Sequence, residues 1–152
     1  MARGDLVMFE EFVNYLGNKL YNFETAGDTF RLGLITNAVP PTHATATPMW
    51  GDWSAQEVSG TGYVAKGKAL TGQTYNEVDG VATFDANDVT WSQASGGTSG
   101  FTGAYWAVLY DDTVASPADP AICFVDLGGP VNNNDGDVTV AWNASGIFNV
   151  TV

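Results

Sequence analysis

Residues 104–112 read AYWAVLYDD and residues 121–127 read AICFVDL, two apolar runs rich in aromatic and β-branched side chains. Between them lies TVASPADP, residues 113–120. Runs of this length and composition, bounded by Pro, Asp and Ser, have the character of strands. Pro117 and Pro120 have no N–H to give a central ladder, so the chain turns between the two runs. Working toward the C-terminus, DVTVAW (137–142) and GIFNVTV (146–152) continue the pattern. Working back, TFRLGLIT (29–36) alternates Phe30, Leu32 and Leu34 with Thr29, Arg31 and Gly33, the period of a strand. KALTGQTYNEV and VATFDANDVTW flank Asp79-Gly80, and a type I′ hairpin turn needs positive φ at both central residues, which Asp-Gly tolerates. A further short strand is expected over Asp88 to Ser92. Altogether roughly seven to nine short strands are expected, an all-β chain of β-sandwich or jelly-roll-like form.

The N-terminus follows a different period. Leu6, Phe9, Phe12, Val13, Leu16 and Leu20 recur at helical spacing, with Glu10, Glu11, Asn14 and Asn18 opposite. An amphipathic helix is expected within residues 1–22, capped by Asp5, with its apolar stripe laid on a sheet. The strands occupy 29–152, and the whole of 1–152 is expected to be one domain. NAVPPTHATATPMWGDW (37–53) has three prolines and no periodicity, which predicts a long surface loop with Trp50 and Trp53 available for contacts. Ser54 and Glu57 have the spacing of a capping box over a short turn. Trp106 and Trp142, inside expected strands, are assigned to the core.

Seventeen acidic against five basic residues give a formal net charge of −12, which repels phosphate backbones and anionic head groups, so neither nucleic acid nor membrane is an expected partner. A single cysteine, Cys123, leaves no intramolecular disulfide and reads as a buried thiol. The opening MARGDLVMFEEF lacks the apolar core of a signal peptide or membrane span, so synthesis in a cytoplasm is expected.

His43 is the only histidine, and no Cys–His spacing suits zinc. No nucleophile elbow, Walker loop or dinucleotide-binding glycine pattern occurs, so no catalytic residue, cofactor or enzyme activity is expected. Paired carboxylates could in principle serve a glycosidase, but Asp85, Asp88, Asp111, Asp112, Asp126, Asp135 and Asp137 fall at strand ends and turns, where Asp bonds nearby backbone N–H groups. NNNDGD, residues 132–137, has the look of a calcium loop. Counting back from Gly136, however, puts Val131 at the first ligand position, and no glutamate follows to close the loop. A turn is expected there, with no metal.

The order of landmarks resembles a group of small virion proteins of tailed bacteriophages. The resemblance rests on an amphipathic start, on EVSGTGY (Glu57 to Tyr63) and on WNASGIF (Trp142 to Phe148), and it covers most of the chain from about Phe9. It implies a β-sandwich structural protein, a capsid decoration or cement protein that binds the major capsid protein on the outside of the virion as a dimer or trimer, assembled in the bacterial cytoplasm. The other role it leaves open is a tail, fibre or neck module that binds host polysaccharide. Partner contacts are expected at Phe9, Phe12 and Leu16 on the helix, at Trp50 and Trp53, and at Asp135 and Asp137.

Overall fold

The computed structural model describes residues 1–152. With 38% of residues in strands and 11% helical, arranged in antiparallel sheets, the chain is all-β in class. In chain order the elements are β1 (Leu6–Met8), α1 (Glu11–Gly17), β2 (Phe30–Ile35), β3 (Lys68–Ala69), β4 (Thr74–Val78), β5 (Val81–Asp85), β6 (Val89–Trp91), β7 (Ala104–Asp111), β8 (Ala121–Val131), β9 (Val138–Val140) and β10 (Phe148–Thr151). One sheet has the order β1-β8-β7-β2-β3, a second β10-β5-β4, and a third pairs β6 with β9.

The apolar runs 104–112 and 121–127 are β7 and β8, which lie side by side inside the largest sheet, and their side chains explain why. β2 pairs with β7 from Phe30↔Asp111 to Ile35↔Trp106, and β8 pairs with β7 on the other side. Phe30, Leu32, Leu34, Ala107 and Leu109 point into a core shared with Phe84, Trp91, Phe101 and Phe148. Their neighbours Ile35, Val108, Tyr110, Ala121 and Phe124 enter a separate cluster with Phe9, Trp50 and Trp53. A sheet buried on both faces is written as nearly continuous apolar sequence, which is how AICFV and AVLY read.

The second cluster corrects the reading of the Pro-rich segment. Trp50 and Trp53 are 3% and 2% exposed, so they are core side chains and not surface contacts. Trp50 stacks on Tyr110 with centroids 4.8 Å apart and planes 10° apart, and Trp53 stacks on Phe9 at 5.4 Å. The loop is also tied by its backbone: Trp50 N–H donates to Asp119 O, and Ala121 N–H donates to Pro48 O. Segment 37–53 is therefore a cover for the sheet face. Trp50 reaches Tyr110 by passing directly over Gly33, where any Cβ would overlap its ring.

The N-terminal helix is shorter than its periodicity predicts. Leu6 to Met8 is a strand, paired Leu6↔Val125, Val7↔Phe124 and Met8↔Cys123. Leu6 and Met8 then face one cluster, and Val7 and Phe9 the other. Leu6 to Phe9 is an unbroken apolar run, which suits a strand covered on both faces, and pairing to the edge of β8 uses it so. Asp5 consequently caps nothing, and its Oδ2 accepts the Ala2 N–H at 2.6 Å. The capping box expected at Ser54 and Glu57 does not form either, since Ser54 Oγ donates to Gly51 O and Glu57 Oε1 accepts the Tyr63 O–H. Asp79 and Gly80 have φ of 51° and 82°, as a type I′ turn requires, and join β4 to β5. Trp106 and Trp142, expected in the core, are only half-buried, with their indole N–H groups on Asn37 Oδ1 and Asn87 O, while Trp91 joins Trp50 and Trp53 as a buried tryptophan.

Gly33→Ala is expected to destabilise the protein by about 1–3 kcal/mol, because the new methyl displaces the Trp50 ring. Gly51→Ala, which meets no atom within 4 Å, is expected to leave stability within about 0.5 kcal/mol. Urea denaturation of both variants checks the contrast.

Candidate functional site

An apolar groove of about 590 Å³ runs between α1 and β10. Its helix side is built by Phe9, Phe12, Val13 and Leu16, and its strand side by Phe148, Asn149, Val150 and Thr151. Four consecutive strand residues line it. Side chains alternate between the faces of a sheet, so a groove on a face would meet every second residue, and one that meets all four runs along the edge. β10 is hydrogen-bonded only to β5, so this edge is free. Val152 N–H donates to Gly80 O on the β5 side. Because N–H directions alternate along a strand, the Thr151 and Asn149 N–H groups turn outward, toward the groove.

Phe12 and Leu16 lie on α1 and Phe9 just before it, and all three line the groove in graded fashion. Phe9 and Phe12 are 1% and 5% exposed and form the floor, Leu16 is half-buried, and Val13, at 71%, is the exposed wall. Val13 and Val150 were not foreseen as contacts, since their place depends on β10 arriving beside α1. Glu10 is the groove's single charged residue, and its Oε1 lies 2.9 Å from His43 Nδ1.

A second cleft of about 540 Å³ follows β9 and faces β1 and the outer half of β8. Asp137 stands at its rim, but its Oδ1 already accepts the Gln93 N–H at 2.7 Å, while Asp135 is exposed. The NNNDGD turn is a fastening whose key residue is Asn133. This fully buried side chain donates from Nδ2 to Thr61 O and Ser92 O, its N–H donates to Phe101 O, and its carbonyl accepts the Ala94 N–H. Asn134 Oδ1 takes the Gly100 N–H. Three loops therefore meet at Asn133: its own turn, the loop of Thr61 and the loop between β6 and β7. No group of three or more His, Cys, Asp or Glu side chains is placed to hold a metal ion.

Positive charge is largely consumed inside the molecule. Arg31 Nε and Lys66 Nζ each lie 2.7 Å from the Asp112 carboxylate, which these two cations hold below its ordinary pKa despite partial burial. Lys68 Nζ donates to Thr90 O. Two of the five basic side chains are thus paired with acid, and the chain as a whole carries −12.

Asp111, the last residue of β7, is wholly buried. Its Oδ1 accepts the Thr113 and Val114 N–H groups at 2.8 and 3.3 Å, whereas its Oδ2 has no donor. Burial, then the neighbouring Asp28 carboxyl, pushes Asp111 up to about 7. Cys123 and Tyr63 are pushed up by burial, so neither ionises as a nucleophile near neutrality. Comparison with protein-family models, with curated proteins and with solved structures finds no match.

Asn133→Ala is expected to cost about 2–3 kcal/mol, since buried backbone carbonyls of two loops lose their donor; thermal melting is the measurement. Asp111 gives a pH dependence of opposite sign to most carboxylates. Its folded pKa, about 7, lies above the ordinary value of 3.8, so the folded state holds a proton that the unfolded chain has released. Its contribution is greatest below pH 4, declines as pH rises toward 7 and is flat above. Asp111→Asn is expected to remove that decline and to raise stability at pH 8 by a few kcal/mol, on the order of 1.4 kcal/mol per pH unit of displacement. Denaturant titrations of the wild type and variant from pH 4 to 8 check both.

Proposed function

We propose that this chain is a non-enzymatic structural protein of a tailed-phage particle, a decoration or cement protein that binds the outer surface of the major capsid lattice. Its sheets on this reading pack as a β-sandwich. One observation carries the proposal: a free, uncharged strand edge lies open beside an apolar groove on a body of net charge −12. Such an edge recognises a partner through main-chain hydrogen bonds, and the acidic surface suits a basic neighbour.

The landmarks behind the phage resemblance support the same framework. In the EVSGTGY stretch, Tyr63 OH donates to Glu57 Oε1 at 2.7 Å while accepting the Leu34 N–H at 2.9 Å, which closes the loop onto β2. In WNASGIF, the chain turns at Gly146 to deliver Phe148 to β10. On a capsid many identical copies act together, so modest contacts by each sum over the lattice. Association as a dimer or trimer about a capsid symmetry axis completes the arrangement, with assembly in the bacterial cytoplasm. The tail, fibre or neck reading has less support, because Trp50 and Trp53, its candidate sugar-stacking platform, are buried.

Cryo-electron microscopy of the intact particle is expected to place the protein's density over the head shell in regular copies. Density confined to the tail or neck would overturn the cement assignment.

A further inference from the structure

The structure assigns the α1–β10 groove to one kind of occupant: an extended peptide arm of a partner protein, apolar along one face and carrying Lys or Arg along the other, which adds as a strand to β10. The inference rests on the reading of the chain as a binding module and names how that module holds its partner.

The edge itself calls for a cover. Solvent-exposed edge strands are commonly blunted by charge, proline or a bulge. FNVTV, residues 148–152, contains no charge and no proline, and its pairing with β5 runs without a register shift from Phe148↔Phe84 to Thr151↔Val81. Val150 is half-buried, and Val13 stands 71% exposed across the groove. A strand added here satisfies the outward N–H groups of Asn149 and Thr151 and buries Val13 on the same docking. The four β10 residues that line the groove span about 13 Å at a strand rise near 3.3 Å per residue. That length receives a short arm and not a whole sheet.

Charge and shape select among arms. Glu10 is the only charged side chain in the lining, Glu11 follows it, and the whole chain carries −12. An arm bearing Lys or Arg is attracted at long range, and an acidic one is repelled. A second copy of this chain is disfavoured on both counts. It brings another −12, and its own β10 has α1 standing alongside, so edge-to-edge pairing would force two helices into a groove with one helical wall.

The test uses the full-length protein in isolation, with synthetic peptides of about eight residues, a typical strand length. One peptide alternates valine with lysine, and the other alternates valine with glutamate. Amide hydrogen exchange followed by NMR is expected to slow at Asn149 and Thr151 by roughly tenfold or more with the valine–lysine peptide and to stay unchanged with the valine–glutamate peptide. Val13→Glu, at an exposed position, is expected to abolish the protection while leaving the melting temperature within a few degrees. Thr151→Pro, which removes one outward N–H from an edge strand, is expected to do the same. Equal protection by both peptides would overturn the charge selection. Protection elsewhere, or none, would overturn the site. A concentration-dependent doubling of mass that Val13→Glu abolishes would assign the groove to a second copy instead. Capsid binding plays no part in this assay, so peptide protection together with tail-only density would sink the cement assignment and leave the groove standing.

Discussion

Strands β2, β7 and β8 carry apolar side chains on both faces of one sheet, and the rest of the chain is arranged to keep water from both. On one face the work is done by regular structure: α1, β5, β6 and β10 bring Phe12, Phe84, Trp91 and Phe148 to Phe30, Leu32 and Leu34. On the other, no sheet or α-helix is available, and the Pro-rich segment 37–53 lays Trp50 and Trp53 over Tyr110, Val108 and Phe9. Gly33 is the condition for that arrangement, since any side chain there would occupy the volume of the Trp50 ring. A long irregular segment is tolerated over a core because its backbone polar groups are paired, at Pro48 and at Trp50, with the start of β8.

Large aromatic side chains placed inward leave little apolar surface for contact outside. What stays open is backbone, the edges of β9 and β10, each running along a groove. The same economy holds for charge. Arg31 and Lys66 converge on Asp112, so the acidic residues elsewhere face solvent with few cations among them. Open edges of this kind would suit the proposed partner, one that supplies a strand and positive charge.

Two buried polar groups mark where packing gives way to specification. Asn133 joins its own turn to two other loops, and a buried amide with both N–H bonds made accepts few alternatives. Asp111 anchors the turn after β7 through Thr113 and Val114, with the Asp28 carboxyl as its charged neighbour. Both lie at the ends of the central strands, where the chain leaves the sheet and local propensity no longer says where it goes.

Where one local rule was enough, the sequence alone was legible. The apolar runs at 104–112 and 121–127, the alternation from Phe30 to Leu34 and the Asp79-Gly80 turn all depend on a residue and its immediate neighbours, and the strands stand where those patterns put them. The excess of acid over base needs no fold to be read, and neither does the lone cysteine. Tertiary structure decided the rest. Leu6 to Met8, read by spacing as the start of a helix, instead pairs with the edge of β8 as a strand, its residues shared between the two clusters. Trp50 and Trp53 went inside because the second face of the sheet had no other cover, and a Pro-rich sequence does not announce what it lies upon. The candidate site brings Phe9, Phe12 and Leu16 together with Val150, more than a hundred residues along the chain, and the groove exists only because β10 pairs with β5 and stops beside α1. Contacts between segments so distant follow from packing the whole chain at once, which no local pattern encodes.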